Sequence, residues 1–207
     1  GQSEPVPMFE TQISSWTRMM KGTTTSEIPG AQLGAHLHSN GKIVLVGPKY
    51  HLHYSKDGVH LTANGYRHMG EDYAKAYRRV VLEGKRWEPL RPLSVTREGA
   101  VITIKLAVPE PPLVIDTTLV DDPGHFGFEY SDSSATSPPI SRVELAGPDT
   151  VVITLASVPT GDDRHIRYAF TGNRGLRSGP QTGARGNLRD SDATRSRAGY
   201  ALYNWCV

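Results

Sequence analysis

The stretch that decides the fold class is Lys42-Ile43-Val44-Leu45-Val46, followed after a short connection by Tyr54-Ser55-Lys56-Asp57-Gly58-Val59-His60-Leu61-Thr62. The first five residues follow an Asn40-Gly41 turn and form an apolar run of strand length. Such a run suits a central strand covered on both faces, as in a parallel α/β sheet. From about Thr62 to Leu82 the period changes: Met69, Tyr73, Ala76, Tyr77 and Val80 make one helical stripe, with Arg67, Glu71, Lys75, Arg78 and Arg79 on the polar side. Thr62 or Asn64 can cap this helix, and Gly84 ends it. Arg78, Arg79, Lys85 and Arg86 suit a solvated helix C-terminus. Strand, loop and helix in that order predict an α/β unit with its loop at the sheet's functional edge.

Upstream, Phe9, Ile13, Trp16 and Met20 recur at helical spacing, predicting a helix over 7–20 stopped by 21–25. Leu33 and Leu37 predict a short helix over 31–38. Downstream, Trp87-Glu88-Pro89-Leu90-Arg91-Pro92 reads as a semi-rigid linker, placing a boundary near residue 92. Beyond it the chain is strand-like: 100–108 alternates, and 151–155 and 165–170 are similar, with Pro, Gly and Asp punctuation between them. Residues 171–198 read as a long exposed loop rich in Gly and Arg, and 200–207 as a final strand. The expected organisation is an α/β part over 1–92 and an all-β sandwich over 93–207.

Composition agrees with many short elements: the 207 residues include 21 glycines and 15 prolines, with 37% hydrophobic and 21% charged residues. A net charge of +2 gives no reason to expect a nucleic-acid partner. No run of about 18 apolar residues marks a membrane span. Cys206, the lone cysteine, excludes a disulfide framework or a cysteine cage within the chain. The halves differ in charge: 1–94 hold 12 Lys/Arg against 8 Asp/Glu and six of the eight histidines, while 95–207 hold 11 against 13.

Asp57 and His60 stand three apart around a glycine, so one tight turn can carry both. The carboxylate would accept from Nδ1–H and fix the tautomer, leaving Nε2 to take a proton from a serine hydroxyl. Taken alone, the tetrapeptide reads equally as an Asp-Gly turn with a surface histidine. His36, His38, His51 and His53 form two His-x-His pairs, but a metal site wants a third ligand and supporting carboxylates. Trp16, Trp87 and Trp205 read as core or interface aromatics.

Asp57-Gly58-Val59-His60-Leu61-Thr62, then Gly65-Tyr66 opening a helix, resembles the last conserved block of the SGNH (GDSL-like) hydrolases, with Ile43–Tyr50 resembling the strand and loop before it. The opening Gly1-Gln2-Ser3-Glu4 is similar to the third block of the sialate O-acetylesterase-like carbohydrate esterase branch. The resemblance covers roughly 1–83 and implies the C-terminal part of a three-layer α/β/α domain. It implies O-deacylation of acetylated glycans, with His60 as general base and then acid, Asp57 orienting it, and no metal or organic cofactor. Gln2 and Ser3 become candidates for oxyanion or substrate contacts, and His53 and Tyr54 candidates for lining the cleft.

One departure has consequences. The family's nucleophile sits in an early Gly-Asp/Gln-Ser block far upstream of the Asp-x-x-His, whereas only 56 residues precede Asp57 here. Gly1-Gln2-Ser3 has the form of that block but no strand to hold it. The resemblance therefore implies the C-terminal portion of a longer hydrolase, partnered by its remaining N-terminal part, with a shortened segment around 23–29 and possible homo-oligomers. An extracellular, cell-surface or virion-associated setting is expected. A second expectation, from a different class, is a phage tail or fibre component, or another surface structural protein, whose hydrolase-like module processes or merely binds glycans.

Overall fold

The computed structural model describes residues 6–19 and 23–207. Strand β1 (Met8–Thr11) lies parallel to β2 (Ile43–Gly47), with Met8 opposite Ile43 and Phe9 opposite Val44. Between them run a single helical turn, α1 (Trp16–Met19), and α2 (Ile28–His38). Val44, Leu45 and Val46 are all buried, which is why β2 carries a continuous apolar run instead of an alternating one. Helix α3 (Ala63–Tyr77) continues into a π-helical turn over Arg78–Leu82. Thr62 caps it: the extended Thr62 backbone lets Oγ1 accept from the Gly65 amide at 3.0 Å. Ala76, with Tyr73 and Val80 beside it, packs on Val44, Val46 and Trp87.

The expected helix over 7–20 is corrected. Residues 8–11 are extended because their backbone groups pair with β2, as in the 2.8 Å bond from the Met8 amide to the Lys42 carbonyl. Helical spacing of four apolar residues is a weak local preference, and tertiary pairing overrides it. Only 16–19 are helical within the described part of that segment.

Past residue 90 the chain is built of antiparallel pairs. The strands β3 (Arg91–Glu98), β4 (Val101–Ala107), β7 (Ile140–Leu145) and β8 (Thr150–Leu155) form one sheet in the order β3-β4-β8-β7. Two further pairs join β5 (Val114–Ile115) to β10 (Leu188–Arg189) and β6 (Phe128–Ser131) to β9 (His165–Tyr168). Ile102, Ile104 and Leu106 point inward from β4 and meet Phe128, Ile140, Val151, Ile153 and Leu188 in the main core. The architecture is mixed α/β: one parallel pair with helices, and several small antiparallel sheets.

Two C-terminal expectations are revised. The 171–198 segment is exposed only in part: residues 173–177 and 193–195 are exposed, while 178–180, 183–188 and 190 are buried. Its backbone carbonyls are satisfied internally, with the Asp116 amide donating to the Asn187 carbonyl at 2.7 Å and the Asp121 amide donating to the Pro180 carbonyl at 2.8 Å. Residues 200–207 form no strand; their only β-pairing is by single bridges, Ala201 to Arg195 and Trp205 to Arg189. They are anchored instead by Lys75 of α3, whose Nζ donates to the Leu202 carbonyl, to Asn204 Oδ1 at 2.8 Å and to Asp192 Oδ2 at 3.1 Å. Tyr50 Oη donates to the Cys206 carbonyl at 2.8 Å. No helix among the described residues is long and apolar enough to cross a membrane.

Candidate active site

The loop leaving β2 runs from Pro48 to Leu61, where Tyr54 and Leu61 form an antiparallel bridge that closes its end. Within it the Ser55 amide donates to the His60 carbonyl at 2.8 Å, so 55–60 form a closed turn. Gly58 makes that turn possible. It has φ +74°, and a Cβ there would lie 2.7 Å from Arg177 Cβ. Gly65 meets a similar limit at the helix start, since a Cβ would sit 2.5 Å from the His53 carbonyl oxygen.

Asp57 Oδ2 lies 2.8 Å from His60 Nδ1. The other carboxylate oxygen, Oδ1, accepts from Ser55 Oγ at 2.6 Å and from the Val59 and His60 amides at 2.9 and 3.0 Å. These bonds, led by Ser55 and then the Val59 amide and the His60 ring, hold the Asp57 carboxyl well below the usual carboxylate range. A carboxylate locked by four donors fixes the imidazole that shares it. With Nδ1–H committed to Asp57, Nε2 is the basic nitrogen, and it makes no hydrogen bond among the described residues. The pair faces solvent: the side chains of His60 and Asp57 are 68% and 50% exposed.

The turn is braced from behind. Arg18 Nε donates to the Asp57 carbonyl at 3.1 Å, and Ser15 Oγ donates to the Val59 carbonyl at 3.2 Å. Tyr54 is buried with its hydroxyl against Ser14 Oγ, and Ser178 Oγ reaches the Ser14 carbonyl. Burial raises the Tyr54 phenol above its ordinary value, so it is a neutral structural group. His53 is exposed, and its carbonyl accepts from the Thr62 amide at 2.9 Å. Tyr54 and His53 thus share the loop with Asp57 and His60, while Gln2 and Ser3 lie outside the described residues. The nearby serines are engaged elsewhere: Ser14 with Tyr54, Ser15 with Val59, Ser55 with Asp57. A shallow concavity beside Asp57 is lined by Arg18, Met19, Val59 and Arg174.

A separate apolar cleft of about 470 Å³ is lined by Gln12, Ser14, Trp16, Pro29, Tyr168 and Phe170. Neither Asp57 nor His60 borders it. Trp16, Trp87 and Trp205 are all buried, so none is available to stack on a ligand at the surface. The His-x-His pairs do not converge. His36 is buried with Nδ1 against the Ile43 carbonyl, and His38 Nδ1 meets the Gly34 carbonyl at 2.7 Å. His51 turns away from His53 toward His68 and Asp72 of α3, a grouping that sequence spacing does not indicate. Burial lowers the His68 imidazole below its ordinary value, with Asp72 opposing.

Compared with solved structures, the chain is similar to a carbohydrate acetylesterase from Xanthomonas citri: 15% identity, TM-score 0.61, covering 92% of this chain. The likeness is one of fold. The chain spans 42% of the length of that esterase. No protein-family model and no curated protein matches the sequence.

Proposed function

We propose that this chain supplies the Asp–His half of a serine-type ester hydrolase that removes O-acetyl groups from carbohydrate. One observation carries the reading: Asp57 Oδ2 and His60 Nδ1 stand 2.8 Å apart on a solvent-exposed turn that leaves Nε2 without a partner among the described residues. The fold likeness to a carbohydrate acetylesterase supports the substrate class. In this reading residues 1–92 are the C-terminal part of a three-layer α/β/α domain of SGNH type, and 93–207 a β-sandwich accessory domain. The nucleophilic serine comes from the remaining N-terminal part of the hydrolase, and the substrates are acetylated glycans outside the cell.

The chemistry follows from the pair. A serine Oγ attacks the acetyl carbonyl as its proton passes to His60 Nε2, and Asp57 stabilises the imidazolium that forms. His60 then gives the proton to the departing sugar oxygen, which completes cleavage of the ester bond. Water, deprotonated by the same nitrogen, attacks the acetyl-serine and releases acetate with the serine restored. Asp57 suits its role because its other oxygen is held by Ser55 and two amides, so Oδ2 stays in place to receive the His60 Nδ1–H.

The test is hydrolysis of p-nitrophenyl acetate by the full polypeptide. His60→Ala is expected to lower kcat by about 10⁴-fold or more, and Asp57→Asn by about 10⁴-fold through the wrong tautomer. Unchanged turnover in His60→Ala would sink the assignment.

A further inference from the structure

We infer that His51, His68 and Asp72 form a binding site for a zinc-like divalent cation. The three come from two elements: His51 from the loop after β2, and His68 and Asp72 from successive turns of α3, one helical step of four apart. His51 Nε2 lies 3.5 Å from Asp72 Oδ2, and His68 Nε2 lies 3.9 Å from Asp72 Oδ1. Both separations are too long for hydrogen bonds. They are close to the edge of a coordination tetrahedron, about 3.3 Å for bonds of about 2.0–2.1 Å. All three ligand atoms lie within 4.8 Å of one another.

Burial makes this spacing meaningful. The side chains of His51, His68 and Asp72 are 7%, 18% and 14% exposed. Among the described residues, His51 Nδ1, His51 Nε2 and His68 Nε2 are buried without a hydrogen-bond partner. Buried polar atoms are nearly always satisfied, so the two orphaned Nε2 atoms facing one carboxylate call for a ligand. A bound cation satisfies His51 Nε2, His68 Nε2 and the carboxylate together. Two imidazoles and one carboxylate select Zn²⁺ or a neighbouring late first-row ion over Mg²⁺ or Ca²⁺, which prefer all-oxygen shells.

The surroundings fix both rings. His51 stacks on Trp205, with centroids 5.5 Å apart and planes 13° apart, and His68 stacks on Tyr200 at 4.6 Å and 5°. A cation there ties the root of the Asp57–His60 loop to α3, beneath residues 200–205. Three protein ligands leave the fourth tetrahedral position of the ion to a further donor.

Isothermal titration of the full chain with ZnCl₂ in a non-chelating buffer tests this. One equivalent should bind, and Asp72→Asn and His51→Ala should each weaken binding by about tenfold or more. His38→Ala, on the exposed side of α2, should bind as wild type does. Circular dichroism establishes that each variant is folded. Co²⁺ titration of the unaltered chain gives a second readout, the intense visible d–d bands of a four-coordinate nitrogen–oxygen site. Excess zinc, at about 100-fold over Kd, should raise the melting temperature by about 5–10 °C. No Zn²⁺ binding by the unaltered chain, or equal affinity in folded Asp72→Asn, overturns the site. Esterase activity enters none of these readouts, so failure here and failure of the hydrolase reading are separable.

Discussion

Two groups of polar side chains flank one loop and are built in opposite ways. Asp57 and His60 lie three residues apart, exposed, and are held by hydrogen bonds from residues 55–60. His51, His68 and Asp72 are drawn from separate elements, are mostly buried, and are held by aromatic faces from residues 200–205. The first group owes its geometry to a turn; the second owes it to the packing of the whole chain. A turn offers reactive atoms to solvent at little cost in stability, whereas a packed cluster ties its polar atoms to the fold itself.

That contrast yields graded expectations. His60→Ala should show the widest split, losing about 10⁴-fold or more in ester turnover while the melting temperature moves by no more than about 2 °C. A large drop in melting temperature would mean that the turn is a pillar of the fold. Trp205→Ala should do the reverse on the packed side, costing about 3–5 kcal/mol of stability by urea denaturation, because its buried ring backs His51 and Tyr50. A loss below about 1 kcal/mol would show the cluster to be independent of that packing. Gly58→Ala should fall between them at about 1–3 kcal/mol, from positive-φ strain and the clash with Arg177, and turnover should fall with it.

The acid limb gives the smallest effect and a defined sign. Asp57 has a folded pKa depressed below its unfolded value. Its contribution is present above the unfolded carboxylate range, near pH 4, and is lost as pH falls through the lower folded value. Wild type and Asp57→Asn should therefore converge in melting temperature below about pH 3, and wild type should hold a slight advantage at neutral pH. An advantage that grows toward acid would reverse the sign and remove the hydrogen-bonded carboxylate from the account.

The same contrast separates what the sequence makes legible from what it hides. β2 and α3 are readable because a buried strand shows an unbroken apolar run and a helix shows a stripe with a capping threonine. Asp57 and His60 are readable because the bonds to the Asp57 carboxylate all come from residues 55–60. β1 is hidden because its extended form comes from pairing with residues some thirty-five positions away, while its own side chains follow helical spacing. The buried course of 178–190 is hidden because glycine, arginine and asparagine look like loop until distant carbonyls are seen to satisfy them. His51, His68 and Asp72 are hidden because only the path of the loop over α3 brings them together.

Lys75 carries a consequence for how the molecule comes together. Its ammonium binds Asp192, Leu202 and Asn204, partners 117 to 129 residues further along the chain. Tyr50 likewise waits for Cys206, 156 residues away, and Ser14 for Ser178. During synthesis α3 and the Asp57–His60 turn can take shape early, because their own bonds are local. Contacts so distant in sequence form late, after the entropy of closing the intervening loop has been met. Until residues 200–206 emerge, the rings of Tyr50, His51 and His68 lack the aromatic cover of Tyr200 and Trp205. In that interval a nascent chain is most exposed to aggregation and most in need of a chaperone.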